Sequence, residues 1–562
     1  MYRDNLALLM EKFPSVGLLA FSFFLEEKFS IEHLPLDWPG HLPEVELLYV
    51  YGLAAAVYEP LRAWLHAKAA RRLVFVENEP GAMGAFLHSL FAKPILLDPQ
   101  VEICFFHKGK QLDAQLQAIA QKHPVQTLEI IALPSRKKGL FWQLRLKLLR
   151  HTTLSYGRFL DRAHGNHLFL NFLRNAPQVE RSFYVNSLRG VFKGIPAVVC
   201  GAGPSLQSAL KTLRTLENRA LIFAGGSAIS ALSAAGIEPH FCIAVDPNEE
   251  EFLRMKNSFA FEVPFLYSTR LHPDVFCALN GPYGYLRFQF SDACELWMKE
   301  KLQLSDALIG EQLADESLTV TALAVSVADW FGCNPILLAG LDMAYTGGKR
   351  YASTVGIDEG FEALKTRRTA SDRILLKKGR SGRATYSAVR WVIESSSLSQ
   401  YAKNCPHIRF INTTEGGIGF QGIDYMPLDQ AIQTCTEEVD LKGLVHAAIS
   451  QGKIEASAQQ MAELIQELLE SLKRVIFHLK ILSGRQKGSL ALAEIEMQEE
   501  IAFSVLFHDI GQLLPHMLRA QSSDKKWPAF LELAERYLAA SYVHGTRASK
   551  GTTKRLPLAA QA

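Results

Sequence analysis

The stretch Pro196-Ala-Val-Val-Cys-Gly-Ala-Gly-Pro-Ser-Leu206 constrains the chain most. An apolar run ending at Cys200 predicts a buried parallel strand, Gly201-Ala202-Gly203 a tight turn, and Pro204-Ser205 the opening of a helix. Glycines let backbone come close to a ligand, and the first-turn N–H groups of the helix, at the positive end of its dipole, favour an anion such as phosphate. A Gly-x-Gly turn also joins strand to helix with nothing bound. The neighbouring segments have to decide.

They repeat the pattern. Leu221–Ala224 reads as a strand ending in Gly225-Gly226-Ser227, and Phe241–Val245 as a strand ending at Asp246-Pro247, with a short helix between them closed by Gly236. Val263–Ser268 and Tyr285–Phe290 supply further strands. Ser317-Leu-Thr-Val-Thr321 leads into a helix over 322–331, and the strand Pro335–Ala339 runs into Gly340-Leu-Asp-Met-Ala-Tyr-Thr-Gly-Gly-Lys349. Strands ending in turn chemistry at one edge describe a Rossmann-like parallel sheet, which binds ligands at its carboxyl edge. Asp342 there serves equally as a turn cap or as a catalytic carboxylate. Ser317, Thr319 and Thr321 serve as helix caps or as hydroxyls for phosphate or carboxylate oxygens.

Upstream, 42–108 alternates strand-like runs (45–51, 72–77, 94–97, 101–106) with helical ones (60–70, 84–91), a smaller α/β unit. Gly52 and Glu77 stand at the spacing of a turn glycine and a ribose-binding acid. The run Gly52-Leu-Ala-Ala-Ala56 lacks the further glycines a cofactor needs, which favours a structural domain. The stretch 111–175 is helical and basic, its Arg and Lys interleaved with Leu over 141–150, and suits a helix covering a neighbouring domain. Arg367–Arg383 reads as an exposed basic insertion, either a plain loop or a lid over an anionic donor. A strand over 407–411 runs into Asn412-Thr-Thr-Glu415-Gly-Gly417. Beyond Met426 the periodicity is helical, with Met461, Leu464, Leu468 and Leu472 on one face.

The expected domains are therefore an N-terminal α/β domain (1–110), a helical linker (111–164), the central Rossmann-like domain (165–425), a C-terminal helical domain (426–543) and a disordered tail (544–562). With 60 Lys and Arg against 57 Asp and Glu, no global field favours nucleic acid, so anion binding has to be local. Eight scattered cysteines with no C-x-x-C pair read as reduced core residues of a cytoplasmic protein. The apolar run 16–25 is too short to span a bilayer and reads as a packed N-terminal element; no integral membrane segment is expected.

Ordered motifs across roughly 165–425 resemble the domain shared by the motility-associated factor (Maf) glycosyltransferases and the 6-hydroxymethylpterin diphosphokinase-like proteins. They are Asn171-Phe-Leu-Arg-Asn175, Gly194-Ile-Pro196 with Gly201–Leu206, Gly236-Ile-Glu-Pro239 with Asp246-Pro247, Gly332-Cys-Asn-Pro335, Gly340–Gly348 and Asn412–Gly417. The flanking α/β and helical regions fit the Maf layout. More distantly, the central domain is similar to bacterial sialyltransferases that use CMP-activated sugars. The resemblance implies transfer of a nonulosonic acid from a CMP-linked nucleotide sugar to Ser or Thr hydroxyls of a protein such as flagellin. The donor would lie at Gly201, Ala202, Gly203, Pro204, Ser205, Gly225, Gly226, Asp246, Ser317, Thr319, Thr321 and Gly340, with Asp342 or Glu415 as the catalytic carboxylate and no resident metal. Ala202 and Gly226 stand where the sialyltransferases carry Asn, so backbone would hold the nucleotide. Asp315 and Glu316 replace expected glycines, and Tyr351 an expected His. A Val at 203 is expected to abolish nucleotide binding with the fold retained. The alternatives are ATP-dependent diphosphoryl transfer to a hydroxymethylpterin, with Mg²⁺ on Asp246 and Asp342, and a non-catalytic binding protein on the same fold.

Overall fold

A computed structural model describes residues 1–21, 41–54, 57–106, 109–136, 139–163, 165–256, 258, 262–289, 291–313, 319–353, 355, 369–435, 437–507 and 526–545. Asp315, Glu316, Ser317, Arg367 and the tail beyond 545 lie outside them, as do residues 22–25 of the apolar run 16–25 and residues 508–525 of the C-terminal helical region. The chain forms two compact units, Met1–Leu160 with Glu362–Leu375 and Ala388–Arg390, and Asp161–Phe361 with Leu376–Ser387 and Trp391–Ala562.

The first unit holds a parallel sheet of β1 (Leu47–Tyr51), β2 (Arg72–Glu77), β3 (Val101–Phe105) and β4 (Leu128–Ala132) in the order β3-β2-β1-β4. Strands β1 and β3 are buried along their whole length, because helices cover both faces, and so they read as continuous apolar runs. Two expectations are corrected. Residues 94–97 belong to a helix, Ala92–Leu97, rather than a strand. The stretch 111–164 is no helical linker: β4 rises from it and pairs with β1 in register Leu47↔Leu128 to Tyr51↔Ala132. The helix Leu140–Ala163 stays in this unit up to Leu160 and joins the helix Gly109–Lys122 through Lys147–Asp113 (2.6 Å) and Ser155 Oγ donating to Ala120 O (2.6 Å).

The second unit is built on eight parallel strands: β5 (Phe183–Tyr184), β6 (Ala197–Cys200), β7 (Leu221–Gly225), β8 (Phe241–Ala244), β9 (Phe265–Tyr267), β10 (Tyr283–Tyr285), β11 (Ile336–Ala339) and, after a hairpin of β12 (Ile374–Lys378) and β13 (Ala384–Ala388), β14 (Phe410–Asn412). The order is β14-β11-β6-β7-β8-β9-β10-β5. Nothing in the sequence marked the two-residue β5, whose flanks are tied by Tyr184 N to Gly452 O and Ile454 N to Ser182 O. The basic insertion is also corrected, since most of it forms the β12–β13 hairpin.

The helical C-terminal region is present. Its longest helix, Ala458–Leu482, starts at a capping box of Ser457 and Gln460 and buries Met461, Leu464, Leu468, Leu472, Val475 and Leu479. These side chains share one core with Val198, Ile222 and Cys242 of the sheet. The helices are thus a layer on a face of the parallel sheet rather than a separate domain. All eight cysteines are free thiols; seven are buried, and Cys277 is exposed.

Candidate functional site

From β6 the chain steps through β7, β8, β9 and β10 on one side, then returns to place β11 on the other. The order therefore reverses between β6 and β11, the kind of point where open parallel sheets bind ligands. The loops leaving these two strands are Gly201–Ser205 and Gly340–Thr346, and they interlock. Gly201 N donates to Ala339 O and Gly203 N to Gly340 O, each at 2.8 Å. A Cβ on Gly203 would lie 2.3 Å from Asp342 Oδ2 and 2.7 Å from Gly340 O; one on Gly201 would lie 2.7 Å from Gly340 O. The close approach these glycines allow is to the next loop of the same chain.

The helix Leu206–Leu213 follows, and the anion at its N-terminus is Asp342. Ser205 N donates to Asp342 Oδ2 (3.0 Å), and Ser205 Oγ and Thr346 Oγ1 both donate to Oδ1 (2.6 Å each). Leu206 N and Gln207 N donate to the Gly203 and Pro204 carbonyls. The first-turn amides expected to face a ligand are thus engaged within the chain. Asp342 is 2% exposed, and burial raises its pKa against the pull of the Ser205 and Thr346 donors. Its carboxyl thus caps the helix that follows β6, not only the turn after its own strand.

A third loop closes on the same point. Gly416, after β14, donates its N–H to Ser205 Oγ (2.9 Å), and Ile418 N donates to Asp342 O (3.1 Å). Gly417, at φ +77°, passes so close to the Asp342 carbonyl that a Cβ would lie 1.8 Å from it. The Glu415 side chain on this loop is exposed. The hairpin docks on these loops: Tyr345 N donates to Tyr386 O, Ser387 Oγ to Met343 O, and Arg380 N to Gly417 O.

The remaining candidates lie further along the edge. Gly226, at φ +51°, opens the helix Ser227–Ala234, and with Gly225 it packs under Val320. Thr319 caps the helix Val320–Trp330 and donates to Glu394 (2.5 Å), while Thr321 is half-buried. Asp246 accepts from the Asn248 amide and side chain, and stands 3.9 Å from Arg254. Arg254 also pairs with Glu251 (2.8 Å), a buried carboxyl that desolvation, and then the Asp246 charge, push up to about 7. The sheet sets β8 three positions from β11, about 14 Å away, so Asp246 and Asp342 do not converge.

Sequence reasoning quoted Asn171-Phe-Leu-Arg-Asn175 as a motif without giving it a role, and it missed two further features of this edge. Asn171 and Asn175, four apart on one helix, hold the loop after β9 through Arg270 O, Thr269 O and Leu271 O; the i,i+4 spacing was the available signal. Glu251 and Arg254 carried none. Glu295, fully buried, accepts from Thr269 N and Oγ1, and burial pushes its carboxyl up to about 7.

Two other places are accounted for. In the first unit Glu77 is wholly buried and accepts from the amides of Leu53, Asn78 and Glu79 and from Arg136 (3.1 Å). Gly52, at φ +111°, runs against Leu133. This turn is a structural joint. A groove of about 450 Å³ lined by Lys193, Pro196, Arg219, Asn334 and Glu437 lies at the amino edge of the second sheet, away from every candidate residue. Among the described residues no helix is long and apolar enough to cross a membrane, and no three His, Cys, Asp or Glu side chains are grouped to hold a metal ion.

Residues 170–348 match the family described as 6-hydroxymethylpterin diphosphokinase MptE-like. Among solved structures, the chain is similar to a MAf glycosyltransferase from Magnetospirillum magneticum AMB-1, at 12% identity and a TM-score of 0.44, over 98% of this chain and 96% of that one. No curated protein matches the chain in sequence.

Proposed function

We propose that the protein is a glycosyltransferase that takes a CMP-linked nonulosonic acid as donor and a Ser or Thr hydroxyl of a protein such as flagellin as acceptor. One observation carries the reading. Three motif loops of the resemblance, after β6, β11 and β14, meet at the Ser205 hydroxyl, although Ser205 and Gly416 are 211 residues apart. The MptE-like match covers the first two of these loops. In the reaction the acceptor oxygen bonds to the anomeric carbon while the bond from that carbon to the CMP phosphate oxygen breaks, with inversion, and CMP leaves with the electron pair. The exposed Glu415 carboxylate takes the acceptor proton. Asp342, buried and committed to three donors, positions Ser205. Gly225, Gly226, Thr319 and Thr321 flank the nucleotide through backbone and hydroxyl groups.

The test is a thermal-shift titration with CMP, CDP, UDP, GDP and ATP, with and without Mg²⁺. Stabilisation by CMP without metal supports the reading, since a ligand at a hundred times its Kd adds about 2.7 kcal/mol. No shift with any nucleotide at millimolar concentration overturns it. The family match favours a second reading, diphosphoryl transfer from ATP, which stabilisation by ATP with Mg²⁺ alone would support. The residues assigned to that metal do not fit it: Asp342 is committed to its donors, and Asp246 follows β8, three strand positions from β11.

A further inference from the structure

With Asp342 at the helix N-terminus, the phosphate charge of a donor has to be met from elsewhere on this edge. The hairpin brings the candidates. Between Ile374 and Ala388 the chain carries Lys377, Lys378, Arg380 and Arg383 and no acid. Arg380 alone among them is fixed on three sides. Its N–H donates to Gly417 O (2.9 Å), its Nε donates to Glu415 O (2.8 Å), and its guanidinium lies 3.6 Å over the Tyr425 ring. The Glu415 carbonyl and the Gly416 N–H belong to one peptide group, and that N–H donates to Ser205 Oγ. The guanidinium is therefore one peptide away from the point where the three loops meet. Among the described residues Arg380 enters no ion pair, and no protein group bonds its Nη1 or Nη2. A guanidinium held by a stack and by its Nε keeps a two-pronged donor ready for oxyanion oxygens, with little rotamer freedom left to lose.

We propose that Arg380 is the phosphate contact of this site, its two Nη groups bonding the phosphate of the nucleotide donor. This rests on the nucleotide-donor reading above. The residue also positions the Glu415–Gly416 peptide, so its ligand role has to be read against a ligand without phosphate.

The experiment titrates the full chain with CMP, cytidine and inorganic pyrophosphate by calorimetry, in wild type, Arg380→Ala, Arg380→Lys and Arg383→Ala, with the melting temperature of each recorded. For Arg380→Ala we expect CMP affinity to fall about ten- to a hundredfold, the loss of charge-assisted hydrogen bonds. Cytidine affinity should stay unchanged. Arg380→Lys should fall between, and Arg383→Ala should stay within about threefold of wild type. Arg380→Gln replaces the Ala variant if that variant melts early. CMP binding unchanged in Arg380→Ala overturns the assignment and leaves the donor reading standing, as does an equal loss for CMP and cytidine. Pyrophosphate binding that depends on Arg380, without CMP binding, upholds Arg380 and overturns the CMP donor. A wild type that binds neither CMP nor pyrophosphate overturns both.

Discussion

Replacing Gly203 by Ala tests whether the Gly-x-Gly turn serves packing. The new Cβ would lie 2.3 Å from Asp342 Oδ2 and 2.7 Å from Gly340 O, and it would crowd the bond from its own N–H to that carbonyl. The carboxylate can swing away only by leaving Ser205 N, a charged hydrogen bond whose loss costs about 1.5–3 kcal/mol. The Gly340 carbonyl is backbone and moves only with β11, and such overpacking costs about 1–3 kcal/mol. Fewer unfolded conformations for Ala return about 0.4–1 kcal/mol. The net loss is about 3 kcal/mol. Followed by tryptophan fluorescence, the urea transition of the second unit should fall by roughly 1 M, taking a slope of about 3 kcal/mol per molar. The fold is therefore not expected to survive Gly203→Val intact, contrary to the reading of the turn as a ligand cradle. Gly157, in the helix Leu140–Ala163 of the first unit with nothing within 4 Å of its Cβ position, is the contrast: Ala there should leave the second unit's transition in place and stabilise the first by about 0.5–1 kcal/mol. An unchanged midpoint for Gly203→Ala would refute the interlocked-loop account.

Glu251→Gln should flatten the dependence of stability on pH. A carboxyl raised from 4.5 to about 7 holds a proton that the unfolded chain releases, so its contribution is full below pH 4.5 and lost as pH rises through 7. Between pH 5 and 8 wild type should lose on the order of 3 kcal/mol more than the Gln variant in urea unfolding; parallel profiles would refute the placement of Glu251. Arg136→Ala removes the guanidinium paired with the buried Glu77 carboxylate, which should destabilise the first unit by about 2–4 kcal/mol in its own transition. CMP binding should not change, and a loss under about 1 kcal/mol would show that the pair with Arg136 is not what holds Glu77.

How much of this could be read in the sequence depended on whether the determining partner was local. Strands β6, β7, β8 and β11 were legible because burial on both faces makes each a continuous apolar run. Strand β4 was not, since its alternating burial left a weaker pattern inside a basic, helical stretch, and β5 has two residues. The carboxyl edge was legible from turn residues at the strand ends. What happens there was not, because the partner of Ser205 lies 137 residues away and the sheet order that makes them neighbours is a tertiary fact. A glycine after a strand reports only that something comes within reach of where its Cβ would be. At Gly203 that something is Asp342, and at Gly417 it is the Asp342 carbonyl. Substituting these glycines therefore perturbs the fold together with any ligand, whereas Arg380 reaches the same loops through its side chain and leaves two donors unused. The phosphate question is answerable at Arg380 in a way that it is not at the turn whose sequence raised it.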